Sequence, residues 1–297
     1  MAKLALDAEL KLLLKQRFPE AAFACGYGSG IFKQHNRSIG NMVDIIIAVE
    51  NSREWHYQNL HRNPKDYAFL PRYLLNSNQI SCIQQKFGGR MWFNPLVSIN
   101  NNGHDLILKY GVVSLQDMLR DLQDWETFYL AGRLQKPILV LQENYQVTQN
   151  NMRNRNQALA MAILMLLKKK EEFTFEEILQ TIVGLSYQGD IRVGIAESPT
   201  KVQDIVLGSF QQLKEIYSQT EGTGKFLTQV NGSFRLNVSL PDIYSVLPRQ
   251  YQGPDGENRL RRTIRTVSFQ QTFKGLLTAG FAKSAQYALS KVAKRFV

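Results

Sequence analysis

The chain has 297 residues, the length of one large domain or two ordinary ones. Hydrophobic residues make up 44% and aromatics 10%, which is enough for a packed core and excludes wholesale disorder. Two cysteines, Cys25 and Cys82, exclude a disulfide scaffold, a cysteine zinc site and an iron–sulfur cluster, and the longest apolar run, Ala158 to Leu167, is far short of the roughly 20 residues of a spanning helix. The net charge is +11, of which +8 lies between Glu257 and Val297, so the body is near neutral and the tail carries the field. A basic tail is an electrostatic handle for nucleic acid or anionic lipid.

Met1 to Glu20 reads as a helix, with Leu10, Leu12, Leu13 and Leu14 and the acids Asp7, Glu9 and Glu20. It has neither the apolar centre of a signal peptide nor the acid-poor, arginine-rich character of a transit peptide, which points to a reducing cytoplasm. Ala21 to Cys25 is a short buried-strand candidate that ends in Gly26-Tyr27-Gly28-Ser29-Gly30. Val43 to Val49 is a β-branched run with one acid, Asp44, set in it. Two more strands, Met91 to Ile99 and Asp105 to Val113, flank the hairpin signal Asn100-Asn101-Asn102-Gly103. Ser114 reads as the cap of a helix over Leu115 to Trp125.

From Asn151 the pattern turns helical, with Gln157 to Lys170, then Phe175 to Val183 behind the capping box Thr174/Glu177, then Val202 to Tyr217. Short strands, Phe226 to Val230 and Phe234 to Val238, complete a winged-helix-like pattern, and Pro248 to Glu257 reads as a linker. The organisation expected is an α/β domain over 1–145, a mainly helical winged-helix-like domain over 146–247, and a basic amphipathic tail over 257–297. At 100° per residue, Phe281, Ala285, Ala288, Leu289, Val292 and Phe296 share one arc, with Lys283, Lys291, Lys294 and Arg295 opposite, the form of a helix lying on a membrane surface. Gly275 and Gly280 predict a hinge or a second short helix just upstream.

The informative constellation is Gly28-Ser29-Gly30 followed by Asp44. A strand ending in Gly-Ser and opening a helix presents backbone N–H groups and partial positive charge to a phosphate chain. A carboxylate in so apolar a strand is costly unless paired or metal-bound. The pair resembles the nucleotidyltransferase fold of the DNA polymerase beta type, which usually carries Asp-x-Asp on the second strand. Here the second position is Ile46, so other oxygens must complete a metal shell, with Asp105 and Asp66 candidates by type only.

The wider motifs are similar to the mitochondrial translocator assembly and maintenance family of peripheral membrane CDP-diacylglycerol synthases. They are Gly26 to Gln34, Val43 to Val49, Trp55-His56-x-x-Asn59-Leu60-x-x-Asn63-Pro64, Lys109 to Ser114, Tyr129 to Pro137, Leu185-Ser186-Tyr187-x-Gly189-Asp190-x-Arg192 and Pro199 to Val202. They cover most of Cys25 to Val206 in matching order. Where the family has His-Tyr-Ser, this chain has Asp66-Tyr67-Ala68.

The resemblance implies that CTP and phosphatidic acid give CDP-diacylglycerol and pyrophosphate, with Mg²⁺. It implies Ser29 and the Gly28 and Gly30 amides cradling the triphosphate and Asp44 holding Mg²⁺. It further implies Lys109, Arg133 and Lys136 at the pyrophosphate, and Lys201 and Arg192 at the lipid phosphate. The tail, through Phe281, Lys283, Lys291, Lys294, Arg295 and Phe296, would hold an anionic membrane surface. A bacterial relative on the cytoplasmic face of a membrane is expected, or the matrix side of the mitochondrial inner membrane for a eukaryotic source; a homo-oligomer is left open.

Plainer readings stand beside these. Lys109 could be a sheet-edge lysine, Arg133 and Lys136 surface ion-pair partners, Asp190 a turn residue and Lys201 an exposed first-turn charge. His56 and His61, five apart, do not share a helical face and make a poor metal site. Two other functions compete: a nucleotidyltransferase acting on RNA, and a non-enzymatic membrane scaffold with a degenerate nucleotide site, motivated by Ile46. Phe281 and Phe296 lie opposite the lysines, unlike the mixed faces that stack RNA bases, so no nucleic-acid partner is expected.

Overall fold

The structure, a computed structural model, describes residues 2–32, 42–101, 104–193 and 198–279. Helix α1 (Ala2–Arg17) precedes strand β1 (Phe23–Tyr27), and β2 (Met42–Val49) runs into α2 (Ser52–Arg62). A 3-10 turn, Pro64–Asp66, joins α2 to α3 (Phe69–Tyr73), α4 (Ser77–Lys86) and the strands β3 (Trp92–Asn101) and β4 (His104–Ser114). The segments α5 (Leu115–Asp124), α6 (Ala131–Leu134) and β5 (Leu139–Gln142) complete a five-stranded sheet of order β3-β4-β2-β1-β5. β2 and β4 run parallel and the other pairs antiparallel. The expected β3–β4 hairpin forms, pairing as far as Asn101 and His104.

Alternation along β2 assigns its two faces. Val43, Ile45, Ile47 and Val49 pack with Leu10, Leu14 and Phe18 of α1 and Trp55 of α2. Ile46 and Ala48 point the other way, into a cluster with Met118 and Leu122 of α5. A strand apolar on both faces needs cover on both, which is why this run reads as continuous rather than alternating. Ser114 caps α5 as expected, its hydroxyl accepting from the Asp117 N–H.

The second half begins with α7 (Tyr145–Leu167), which starts at Tyr145 and not near Gln157. Its polar opening is buried against α5 and α6: Asn154 Oδ1 accepts from Trp125 Nε1 at 2.9 Å and Gln135 Nε2 at 3.0 Å, and its amide donates to Ala131 O. β6 (Glu172–Phe173) leads to α8 (Phe175–Leu185), which opens with the full Thr174/Glu177 capping box. The helix expected over Val202 to Tyr217 divides at Gly208-Ser209, a weak helical pair, into α9 (Lys201–Gly208) and α10 (Phe210–Ser218). After α11 (Glu221–Phe226), the hairpin of β7 (Leu227–Val230) and β8 (Ser233–Leu236) joins β6 in a three-stranded sheet, and α12 (Leu240–Val246) follows.

Two expectations about the end of the chain are corrected. Residues expected as a linker are packed: Tyr251, in the 3-10 turn Arg249–Tyr251, is buried and donates to Trp125 O at 3.0 Å. Helix α13 (Gly256–Ala279) then runs unbroken through Gly275, so no hinge forms at that glycine, and Gly280 lies outside the described residues. Its Leu260, Ile264 and Val267 join the same cluster as Trp125, Tyr251 and Ile46, so α13 is docked on the body. That cluster also crosses residue 145. The amphipathic stretch with Phe281, Lys283, Lys291, Lys294, Arg295 and Phe296 lies outside the described residues. Leu260→Ala should lower the unfolding free energy in urea by about 2–5 kcal/mol; a change below about 0.5 kcal/mol, the scale of an exposed position, would mean that α13 is not docked.

Candidate functional site

The site grows from the parallel register of β2 and β4, which sets Asp44 opposite Lys109, while β1 sets Tyr27 opposite Asp44 from the other side. These side chains share the sheet face of Ile46 and Cys25. Lys109 Nζ lies 3.1 Å from Asp44 Oδ1, with 18% and 16% of the two side chains exposed. The contact is an ion pair without hydrogen-bond alignment, since Oδ1 is otherwise buried with no hydrogen-bond partner. β4 lies inside the sheet, between β3 and β2, which overturns the sheet-edge reading of Lys109. Its ammonium also sits 5.0 Å from the centre of the Phe93 ring.

The glycines before Asp44 have distinct reasons. Gly28 has φ +77°, a backbone L side chains rarely adopt. Among the described residues a Cβ there would meet one atom within 4 Å, Asp44 Oδ2 at 3.6 Å, so the turn passes directly in front of the carboxylate without a side chain between them. At Gly30 a Cβ would fall 2.1 Å from Met42 O, which holds the turn flat on the start of β2. Ile31 and Phe32 N–H both donate to Gly28 O, closing residues 28–32 into one turn, with Ser29 half-exposed on it. The helix expected to open there does not begin by Phe32, and the residues just beyond are outside the description.

A second basic group adjoins the first. Arg133 stacks on Tyr129 with its guanidinium carbon 3.7 Å from the ring centre and donates to Tyr129 O at 2.5 Å. Burial pushes the Tyr27 phenol up to about 12, with Lys109 and Arg133 opposing and Asp44 reinforcing. Arg192 holds Asp190 through both carboxylate oxygens, at 3.0 Å from Nε and 2.5 Å from Nη2. Burial alone would raise the Asp190 carboxyl, but Arg192 and then Arg133 hold it below its ordinary value. Thus Asp190 is an arginine partner within the group. Lys136 donates to Gly132 O at 2.8 Å and Ser186 Oγ at 2.7 Å, tying α6 to the end of α8. Lys201 stands in the first turn of α9, half-exposed, on a different turn of chain from Arg192.

Tyr27, Phe93 and Tyr129 were not singled out from the sequence as site residues, although Tyr27 and Tyr129 lie inside the quoted motifs. Aromatics in apolar surroundings read as core. Gly111 offers one signal: a Cβ there would lie 2.6 Å from Phe93, so the glycine makes room for the ring beneath Lys109.

Asp66 belongs elsewhere. Arg17 Nη2 donates to its Oδ1 at 2.6 Å and the Tyr110 hydroxyl to its Oδ2 at 2.9 Å, on the opposite sheet face from Asp44. The Asp105 side chain is outside the description. Among the described residues no group of three His, Cys, Asp or Glu could hold a metal. What fits a divalent cation is narrower: the Asp44 carboxylate, whose Oδ1 faces the Lys109 ammonium and whose Oδ2 faces the Gly28 turn. Mg²⁺ commonly uses one or two carboxylates with substrate phosphates supplying more oxygens. His56 is no ligand, being buried between Tyr67 Oη and Gln84 Oε1, each at 2.8 Å.

The chain matches the family model described as phosphatidate cytidylyltransferase, mitochondrial, over residues 10–232 and 253–294. It is 32% identical to the zebrafish (Danio rerio) protein of that name, over 94% of this chain and 92% of the fish protein. The Saccharomyces cerevisiae protein of the same name is 35% identical, over 97% of this chain and 71% of its own length. The mouse (Mus musculus) one is 32% identical, over 93% and 91%.

Burial lowers His56 from 6.5 to about 4, so the unfolded chain takes up a proton that the folded one refuses. Stability should therefore fall as pH drops from 6.5 towards 4, by up to about 3 kcal/mol from this group. Denaturant titrations should show a weaker loss over that window in His56→Gln; an identical pH dependence in the two proteins would contradict the burial.

Proposed function

Since the chain belongs to the family of mitochondrial phosphatidate cytidylyltransferases, we propose that it transfers the cytidylyl group of CTP to phosphatidic acid, giving CDP-diacylglycerol and pyrophosphate. The observation that carries the reading to particular residues is the Asp44 carboxylate, facing the Gly28 turn with Lys109 beside it. The five-stranded sheet then serves as a polymerase-beta-type nucleotidyltransferase domain, and residues 146–247 as a winged-helix-like partner.

The chemistry is an in-line exchange at phosphorus. An oxygen of the phosphatidate phosphate attacks the α-phosphorus of CTP, and the bond to the bridging oxygen of pyrophosphate breaks. The attacking oxygen is already anionic, so no side chain needs to take a proton from it. The residues have to gather negative charges and hold them in line.

Gly28 and Gly30 let the turn approach the triphosphate, with Ser29 Oγ and backbone N–H groups as donors. Asp44 is the residue that would hold Mg²⁺, and the ion would supply positive charge against the phosphates. As Asp44 takes up that role, Lys109 exchanges its carboxylate partner for phosphate oxygens. Arg133, fixed on Tyr129, meets the pyrophosphate together with Lys136. Arg192 and Lys201 are assigned to the lipid phosphate.

The acceptor is a lipid, so the enzyme works at a membrane surface. Among the described residues no helix is long and apolar enough to cross a membrane. The basic amphipathic stretch within 281–296 is the proposed contact with anionic lipid, on the pattern of its sequence.

Purified protein given CTP, Mg²⁺ and phosphatidic acid vesicles should release pyrophosphate and form a lipid-linked cytidine nucleotide. Asp44→Asn should cut that rate by at least about 100-fold while the thermal transition persists. Full activity in Asp44→Asn would remove Asp44 from the mechanism, and no turnover by the folded parent protein would end the assignment.

A further inference from the structure

Docked helix α13 reaches the arginine of the proposed leaving-group site through one turn. The turn is Phe87 to Met91, between α4 and β3. Its backbone is unusual, with Gly88 at φ +61° and Arg90, a side-chain-bearing residue, at φ +53°. Non-glycine residues held in that region persist only where their surroundings over-determine them.

Here the surroundings come from two sides. Arg90 is anchored to Asp117 at 3.3 Å and to Glu126. From α13, the Gln271 carbonyl oxygen accepts from the Gly89 N–H at 3.0 Å and its amide donates to Met91 O at 3.4 Å. Gln270 accepts from the Gly88 N–H, and Lys274 donates to Phe87 O at 2.6 Å. Gln271 is only 7% exposed, so its side chain is committed to this turn.

The other side of the turn faces the site. A Cβ on Gly89 would fall 2.2 Å from Tyr129 Cγ, so the Gly89 backbone lies directly on that ring. Tyr129 carries Arg133 on its ring at 3.7 Å and takes an Arg133 hydrogen bond at its carbonyl. It also meets Phe93, the ring beneath Lys109, at 6.2 Å between centres. The sequence of contacts is therefore Gln271, Gly89, Tyr129, Arg133, each step a hydrogen bond or a surface in van der Waals contact.

We propose that Gln271 is a positioning residue for Arg133: it presses Gly89 onto Tyr129 and so fixes the guanidinium where the leaving pyrophosphate needs it. This rests on the reading of Arg133 given above. It also makes α13 part of the catalytic apparatus, a helix lying more than a hundred residues along the chain from the sheet it serves.

Gln271→Met keeps length and removes both hydrogen bonds. In hydrogen exchange it should speed exchange at residues 127–134 as well as 87–91, leaving α1 and α2 on the far sheet face unchanged. Faster exchange confined to 87–91 would overturn the coupling, whatever the protein catalyses. In turnover with CTP and phosphatidic acid vesicles, Gln271→Met should lower kcat about tenfold with KM for CTP within about twofold. Combined with Arg133→Ala it should add little to the single arginine loss, because the two act through one group. Independent, multiplying losses, or an unchanged kcat in an otherwise active enzyme, would refute the proposal. A parent protein without turnover would instead refute the functional reading, with the exchange result still deciding whether Gln271 holds Tyr129. Should Gln271→Met fail to fold, Gly89→Ala tests the same contact from the other side and is expected to give the same kinetic pattern.

Discussion

Parallel pairing of β2 with β4 puts a carboxylate and an ammonium side by side on a sheet face whose next rungs are Ile46 and Gly111. Neither charge belongs there alone, since removing an ion from water costs several kcal/mol even after relaxation. At 3.1 Å and with an effective dielectric near 20, their attraction is roughly 5 kcal/mol, of the same size as that cost. The pair therefore adds little net stability, and exchanging it for a cation and phosphate oxygens carries little penalty. A carboxylate tied into several hydrogen bonds, as Asp121 is with five from residues 127–131, would not be available in this way.

Around that pair, the molecule spends its glycines and aromatics on access and support. Gly28 keeps its own turn free of a side chain against Asp44, Gly30 lays the turn on β2, and Gly111 admits Phe93 beneath Lys109. Phe93 and Tyr129 link Lys109 to Arg133. The second half of the chain then closes the far side, through Lys136 on Ser186 and Arg192 on Asp190. Charges of both signs are thus held in alternation, the arrangement proposed to gather the phosphates of two substrates.

Much of the strand half was legible in the sequence because local rules and tertiary structure agree there. An acid in a β-branched run marked Asp44, the polar turn marked the β3–β4 hairpin, and the Ser114 cap and Thr174/Glu177 box opened their helices where expected. What was hidden depends on partners far away in sequence. The start of α7 reads as loop because Asn151, Asn154 and Gln157 are polar, yet Trp125 and Gln135 hold Asn154 in the interior. Asp66 looked like a metal ligand by type, and only the fold shows Arg17 and Tyr110 claiming it on the other face. Helix α13 read as the start of a basic amphipathic tail because four arginines stand within its first ten residues. Its docking rests on three apolar residues and on Gln271 and Lys274, types that no periodicity argument marks as buried.

The most direct measurement is calorimetric titration of CTP into the parent protein and into Asp44→Asn, with and without Mg²⁺. The parent should bind CTP at least about tenfold more tightly with Mg²⁺, and Asp44→Asn should bind it equally with or without the metal. A Mg²⁺ effect of the same size in both proteins would place the metal and the triphosphate away from Asp44 and contradict the account.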